Sequence, residues 1–280
     1  MKAPIKRGQT KAAAFSLPSV RSLCKSENFQ LMKKIYLFIA MLVVATQTMF
    51  AASKQEADEA YQKNEFDTAI SLYEELIATE GESADVYYNL GNSYYKNKNM
   101  AKAILNYERA LLIKPGDADI RFNLELAKSK AVDKIIPTPE VFIVTWVNAV
   151  VNSMSEKSWS VLGIVTFLLL LVGLGLYIFG GSLWMKKAGF IGAIVMVIVC
   201  VCANLAASAQ KSEIVNRNGC IVLSPSVTVK STPDESGTDL FVVHEGAKVF
   251  ISDDTMSEWK EVSLEDGKKG WMPASAIEKI

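Results

Sequence analysis

The chain carries WSVLGIVTFLLLLVGLGLYIF at residues 159–179 and AGFIGAIVMVIVCVCANLAAS at residues 188–208. Neither stretch contains a charged residue over its length of about 21 positions, and a helix that rises 1.5 Å per residue needs about 20 residues to cross the hydrocarbon core of a bilayer. Residues 180–187 (GGSLWMKK) leave room only for a tight turn between them. We therefore predict a transmembrane hairpin, which returns the chain to the side of the membrane from which it came.

The orientation of the hairpin follows from two further features. Trp184, Lys186 and Lys187 lie in the turn, and basic residues in short loops indicate the cytoplasmic side. Residues 32–52 (MKKIYLFIAMLVVATQTMFAA) place two lysines before an apolar run and small residues, which is typical of a secretory signal peptide, either cleaved or retained as an anchor. Residues 1–31 show no periodicity, and we expect them to be an N-terminal extension that the native protein lacks.

Composition disfavours several function classes. Thirty basic and thirty acidic residues cancel, so no net charge favours nucleic acid as a partner. The four cysteines have neither metal-site nor redox spacing, and we expect no metal and no cofactor. The single histidine, His244, has only Cys220 as a conceivable nucleophilic partner, and we place Cys220 in a linker ahead of the first strand, with no third orienting group. We therefore expect that the protein is not an enzyme.

An internal repeat dominates residues 53–134. ADVYYNL at residues 84–90 and ADIRFNL at residues 118–124 lie 34 residues apart, which is the period of a helix-turn-helix solenoid. The unit that begins at Ala84 resembles the tetratricopeptide repeat at nearly all signature positions: Tyr87, Leu90, Gly91, Tyr94, Ala103, Tyr107, Ala110 and Pro115. A weaker unit precedes it, and one terminal helix follows it.

The tetratricopeptide resemblance implies a binding surface on the concave face, which the first helices of the units line. The residues that it places there are Asp85, Tyr88, Asn89, Asn92, Tyr95, Lys96 and Asn123. Asparagine and tyrosine side chains are able to hydrogen-bond the backbone of an extended peptide. The alternative is that these are ordinary solvated polar residues.

Residues 135–158 form a connector. Pro137 and Pro139 end the solenoid, and an uncharged stretch of about 15 residues then keeps its polar side chains on one helical stripe. Such a helix is too short to cross a bilayer, so we predict that it lies at the lipid-water boundary. The alternative is a helix that packs on the end of the solenoid.

Residues 209–280 switch to short runs of period two, which predict a small all-β domain. The turn at 240–246, the Trp259 strand and the pair Gly270 and Trp271 resemble bacterial SH3-like domains. Gly246 and Gly267 suit turn positions with positive φ. We expect the two tryptophans in the barrel core, although domains of this family often contact cell-wall peptides or other proteins.

The predicted fold is a multi-domain membrane protein with an all-α tetratricopeptide solenoid, a two-helix hairpin and an all-β SH3-like barrel. This order resembles the BatE-type proteins of the Bacteroides aerotolerance group over residues 32–280. The resemblance implies a non-enzymatic scaffold in the bacterial inner membrane, with both soluble domains periplasmic. Its implied partners are other aerotolerance proteins, some with von Willebrand A-type domains. The alternative is an envelope sensor whose SH3-like domain binds peptidoglycan.

Overall fold

The computed structural model describes residues 54–135, 138–139 and 141–280. The predicted N-terminal extension (1–31) and signal peptide (32–52) lie outside these described residues. Helices make up the described chain as far as Val215, and a sheet follows them.

Five helices form the repeat region. They are α1 (54–62), α2 (Phe66–Glu80), α3 (Ala84–Lys96), α4 (Met100–Ile113) and α5 (Ala118–Lys128). A Cβ atom built on Gly91 would lie only 2.7 Å from Cδ1 of Tyr107, and Ala103 is fully buried. Small residues at these positions therefore allow α3 and α4 to cross closely, with the Tyr107 ring filling the space beside Gly91.

Two longer helices follow the connector: α7 (Glu156–Phe179) and α8 (Leu183–Val215). Both are long and apolar enough to cross a membrane, as judged by length and composition. Their backbones meet at Gly173 and Gly189, where an added Cβ on Gly189 would lie 2.5 Å from the Gly173 carbonyl oxygen. Glycine at this crossing permits the close approach that small-residue interfaces between membrane helices use.

Both helices extend beyond the predicted membrane spans of residues 159–179 and 188–208. The Ser182 hydroxyl accepts a hydrogen bond from the Met185 amide and caps α8, so the helix begins at Leu183 and the connection is shorter than residues 180–187. Lys186 and Lys187 thus lie in the first turns of α8. The same helix continues past the predicted end of the membrane span at 208 to Val215, and in this extension Gln210 is buried and bonded to the carbonyl oxygens of Val151 and Met154.

The connector contains one short helix, α6 (Phe142–Val151), with no buried residue. Its C-terminal end is attached to α8, since Gln210 Nε2 donates to the carbonyl oxygens of Val151 and Met154, each at 2.7 Å. Trp159 Nε1 also donates to the Val151 carbonyl, at 2.8 Å. An apolar, exposed helix is therefore fixed beside the hairpin.

The C-terminal region is a seven-stranded antiparallel sheet in the order β3-β2-β6-β5-β4-β1-β7. The strands are β1 (Gly219–Val222), β2 (Ser226–Lys230), β3 (Asp239–His244), β4 (Lys248–Asp253), β5 (Trp259–Leu264), β6 (Lys269–Pro273) and β7 (Ile277–Lys279). Gly246 and Gly267 have φ of 84° and 88°, which confirms the predicted positive-φ turns.

Two expectations about this sheet were wrong. Trp259 and Trp271 are only partly buried and lie outside the core. Alternate residues of a strand point to opposite faces, and Val262 and Met272 occupy the inward positions of β5 and β6. Cys220 lies in β1 rather than in a linker, and it is fully buried in the core.

The sheet packs against the repeat region instead of standing apart from it. Ile221 and Ile280 belong to the same apolar cluster as Ile104 of α4. The Arg109 guanidinium, also on α4, lies 2.8 Å from the Glu278 carboxylate. The sequence predicted two separate soluble modules on one anchor, whereas the structure joins them through α4.

Candidate binding groove of the repeat region

A polar groove runs along the side of the repeat region that α1, α3 and α5 form. One part, of 300 Å³, is lined by Tyr61, Tyr88, Asn92, Tyr95, Lys96, Tyr107, Asn123 and Leu126. The adjoining part, of 270 Å³, is lined by Asp58, Tyr61, Gln62, Tyr73, Asn89 and Asn92. Because Tyr61 and Asn92 border both parts, the two form one continuous groove.

The second repeat unit supplies a hydrogen-bonded triad to this groove. The Tyr107 hydroxyl donates to Asn92 Oδ1 at 2.7 Å, and Asn123 Nδ2 donates to the same oxygen at 3.4 Å. Asn123 Nδ2 also donates to the Tyr88 hydroxyl at 2.7 Å. Among the described residues, both side-chain hydrogen bonds of Asn92 use Oδ1, so within that part of the chain its Nδ2 group keeps its donors for a ligand.

The first unit repeats this triad at positions 34 residues earlier. The Tyr73 hydroxyl donates to Asp58 Oδ1, and Asn89 Nδ2 donates to that oxygen at 3.1 Å. Lys54 adds an ion pair, with its Nζ 2.7 Å from Asp58 Oδ2. The floor of the groove is therefore a polar network that contains one triad from each repeat unit.

Burial holds the tyrosine hydroxyls of both triads in their donor form. Loss of hydration raises the pKa of Tyr73 far above its ordinary value, and the hydrogen bond to Asp58 raises it further. Loss of hydration likewise raises the pKa of Tyr107. Neither hydroxyl ionises at physiological pH, so the network has fixed polarity.

Aromatic and basic side chains border the floor. The rings of Tyr88 and Tyr107 lie 6.1 Å apart, and Lys130 Nζ lies 4.5 Å from the centre of the Tyr95 ring. Lys96 is exposed at the same end. Flat aromatic walls with a polar floor are able to hold an extended peptide by its backbone and stack on its side chains.

The structure brings together six of the seven predicted residues. Tyr88, Asn89, Asn92, Tyr95, Lys96 and Asn123 all line the groove. Asp85 does not, and its carboxylate instead lies 2.7 Å from Lys114 Nζ. Asp85 is on the first turn of α3, where its side chain is directed toward the end of α4.

Sequence reasoning did not place six of the lining residues in the groove: Asp58, Tyr61, Gln62, Tyr73, Tyr107 and Leu126. The repeat period contains a signal for part of this set. Asp58 and Tyr61 precede Asn92 and Tyr95 by 34 residues, and Tyr73 precedes Tyr107 by the same interval. Transferring the concave positions of the second unit to the weaker first unit would have identified the first two of these residues.

The opposite side of α4 binds the sheet through a buried charge. Glu108 has only 8% of its side chain exposed, and its two carboxylate oxygens lie 2.8 Å from Lys128 and 2.8 Å from Lys248. Burial raises the pKa of Glu108, but the two lysines lower it by more, so the net direction is downward. The carboxylate remains charged and joins α4, α5 and β4.

The histidine and the cysteine that an enzyme would need do not form a nucleophilic pair. His244 Nδ1 lies 2.8 Å from Asp133 Oδ1, which ties β3 to the end of the repeat region. Burial raises the pKa of the Cys220 thiol to about 11, so this thiol is protonated and serves as an apolar core residue. The described residues contain no cluster of acidic, cysteine or histidine side chains suited to a metal ion.

Residues 54–118 match the family model described as tetratricopeptide repeat. This range includes both helices of the first unit and both helices of the second. Proteins with these repeats bind other proteins and are typically non-catalytic. A search of curated proteins found no match.

Proposed function

We propose that this protein is a non-enzymatic, membrane-anchored scaffold that holds an extended peptide of a partner protein in the groove. The observation that carries the proposal is the duplicated triad of Tyr73, Asp58 and Asn89 and of Tyr107, Asn92 and Asn123. A network that fixes donors and acceptors in an open groove is pre-organised for a ligand's backbone, which lowers the entropic cost of binding.

The helices α7 and α8 serve as the anchor in this proposal. Two crossings leave the repeat region and the sheet on the same side of the membrane. The ion pair between Arg109 of the repeat region and Glu278 of the sheet supports this arrangement, because two side chains in contact must share a compartment. The signal-like residues 32–52 favour the periplasmic side of a bacterial inner membrane. The resemblance to BatE-type proteins suggests partners in an aerotolerance complex, including proteins with von Willebrand A-type domains.

Groove variants test this proposal. We expect Tyr95→Ala combined with Lys96→Ala to reduce partner capture from solubilised membranes by roughly tenfold, as loss of an aromatic binding residue does. Neither side chain belongs to the two triads, so the fold should persist, whereas Asn92→Ala would also remove the partner of Tyr107.

Asp85→Ala is the matched control, since Asp85 lies on the same helix but outside the groove. Quantitative mass spectrometry of the captured proteins measures the effect. Equal capture by the double variant and the original protein would contradict the groove proposal, as would an equal loss in Asp85→Ala.

The envelope sensor is the second candidate, and the position of the tryptophans favours it. Trp259 and Trp271 lie on the outward face of β5 and β6, where an SH3-like barrel would have aromatic side chains free for a cell-wall peptide. The connection of only residues 180–182 between α7 and α8 opposes it, because so short a segment offers little surface to a cytoplasmic signalling protein.

Cosedimentation of the full-length protein with purified peptidoglycan separates the two candidates. Binding that Trp271→Ala abolishes would favour the sensor. Absence of binding, together with peptide capture by the groove, would favour the scaffold. The intact chain is required because an isolated sheet would expose Ile221 and Ile280, which the repeat region covers.

A further inference from the structure

A cavity of 560 Å³ lies where the repeat region, the connector, α8 and the sheet meet. Its apolar walls include Leu111, Leu112 and Phe250, and its polar walls include Gln210 and Asn216. The volume is within the range of about 300–1,000 Å³ that small-molecule sites occupy. A mixed lining of this kind suits a ligand that has both charged and apolar parts.

The position of the cavity along α8 indicates where it lies relative to the proposed membrane. The predicted membrane span ends at residue 208, and the cavity is lined by Gln210, Ser212 and Glu213 of α8 and by Asn216, the residue that caps its end. At 1.5 Å per residue they lie roughly 3–12 Å beyond that end, which overlaps the headgroup layer of a bilayer. The exposed apolar helix α6 is attached at the same level through Gln210.

Gln210 leaves one hydrogen-bonding atom unused. Only 3% of this residue is exposed, and both bonds from Nε2 go to carbonyl oxygens, so the amide oxygen Oε1 is available only as an acceptor. Oε1 is buried and has no hydrogen-bond partner in the described part of the chain. A buried acceptor without a donor is costly, so a ligand that supplies an N–H or O–H group would be favoured.

Among the described residues, one cation and one anion that line the cavity have no ion-pair partner, although the Arg121 guanidinium donates to the Pro115 carbonyl oxygen at 2.6 Å. Five charged side chains line it: Glu108, Arg121, Glu213, Arg217 and Lys248. Lys248 pairs with Glu108 at 2.8 Å, and Arg217 pairs with Glu82 outside the cavity at 2.5 Å. Within residues 54–135, 138–139 and 141–280, neither Arg121 nor Glu213 forms an ion pair.

We propose that this cavity binds the headgroup of phosphatidylethanolamine. Arg121 pairs with the phosphate, while the Glu213 carboxylate and Gln210 Oε1 accept hydrogen bonds from the ammonium group. Phosphatidylcholine offers the same net charge but no N–H donor, and phosphatidylglycerol has no cation for Glu213. The headgroup would hold the repeat region and the sheet against the membrane surface. This inference rests on the proposed membrane anchor.

Native mass spectrometry of the full-length protein in mild detergent tests the inference. Delipidated protein is titrated with phosphatidylethanolamine, phosphatidylcholine or phosphatidylglycerol that carry the same acyl chains. We expect phosphatidylethanolamine to bind roughly tenfold more tightly than either of the others. This preference should vanish in Glu213→Gln, which loses the carboxylate that faces the ammonium group. Arg121→Gln should instead weaken the binding of all three lipids, because each of them carries the phosphate. Lys211→Gln is the matched control, since Lys211 is exposed on the same helix and does not line the cavity.

Three results would overturn the inference: equal binding of the three lipids, a preference that survives Glu213→Gln, or an equal loss in Lys211→Gln. Alkaline extraction of membranes distinguishes its failure from failure of the anchor. A chain that stays with the membranes but shows no headgroup preference contradicts only the lipid site. A chain released into the soluble fraction contradicts the anchor and the lipid site together.

Discussion

The first and second repeat units place different chemistry at equivalent positions of the groove. The first unit has Lys54 and Asp58, whose charged groups lie 2.7 Å apart, and the second unit has Tyr88 and Asn92 at the positions 34 residues later. The second unit thus has two neutral hydrogen-bonding side chains at the positions where the first unit has an ion pair. The repeat therefore keeps the geometry of the network, while the charge of the network differs between the two ends of the groove.

The two repeat units also differ on the side that faces away from the groove, because the sheet covers only one of them there. Glu74 and Glu108 occupy the same repeat position, yet Glu74 is exposed and accepts a hydrogen bond from Tyr94, whereas Glu108 is buried between Lys128 and Lys248. The sheet covers only the second unit at this position. The same residue type therefore has a peripheral role in one unit and joins two parts of the molecule in the other.

The largest effect in this comparison should come from Glu108→Ala. Removing a buried carboxylate leaves two lysines without their partner, which costs about 3–5 kcal/mol of stability. Glu74→Ala, at the equivalent exposed position, removes the hydrogen bond from the Tyr94 hydroxyl, which keeps its contact with Lys102, and should cost about 0.5–1.5 kcal/mol. Thermal unfolding of the full-length protein in detergent measures both. Similar losses in the two variants would show that the burial of Glu108 does not matter.

Lowering the pH should weaken the contact of Glu108 with Lys128 and Lys248. The folded-state pKa of Glu108 is lowered, so its contribution is complete above the unfolded value of about 4.3 and is lost as pH falls through the lower folded value. We expect the thermal midpoint of the original protein to fall steeply below about pH 4. Glu108→Gln should start lower and change less over this range, whereas Glu74→Gln should follow the original curve. Parallel curves for all three proteins would refute this assignment.

A smaller effect should distinguish the two triads. Tyr73→Phe removes a hydrogen bond to a carboxylate and should cost about 1.5–3 kcal/mol, whereas Tyr107→Phe removes one to a neutral amide and should cost about 0.5–1.5 kcal/mol. The two substitutions delete the same atom at equivalent positions, so each is the control for the other. The reverse order of midpoint losses would contradict the ionic and neutral description of the two units.

The sequence pattern predicted the features that depend on local periodicity. The interval of 34 residues indicated the helical repeat and the side of α3 on which Tyr88 and Asn92 lie. Uncharged length indicated the two apolar helices. These features follow from residues within one element or one repeat, which is the information that a single sequence contains.

Features that depend on distant partners were not predictable in this way. The burial of Glu108 requires Lys248, 140 residues later in the chain. The outward position of Trp271 was misjudged because a period of two shows that alternate residues share a face but not which face is covered. The extension of α8 to Val215 was not predicted, because it includes Gln210, whose amide is bonded to Met154, 56 residues earlier in the chain.

Thiol labelling in intact cells tests most directly the claim that the repeat region and the sheet lie on one side of the membrane. Glu59→Cys in α1 and Ser257→Cys before β5 each place a thiol at an exposed position of one region. A membrane-impermeant maleimide that enters the periplasm should label both variants to the same extent above the cysteine background of the original protein. Labelling of only one of them would contradict the account, because two regions on opposite sides of a membrane could not form the contact between Arg109 and Glu278.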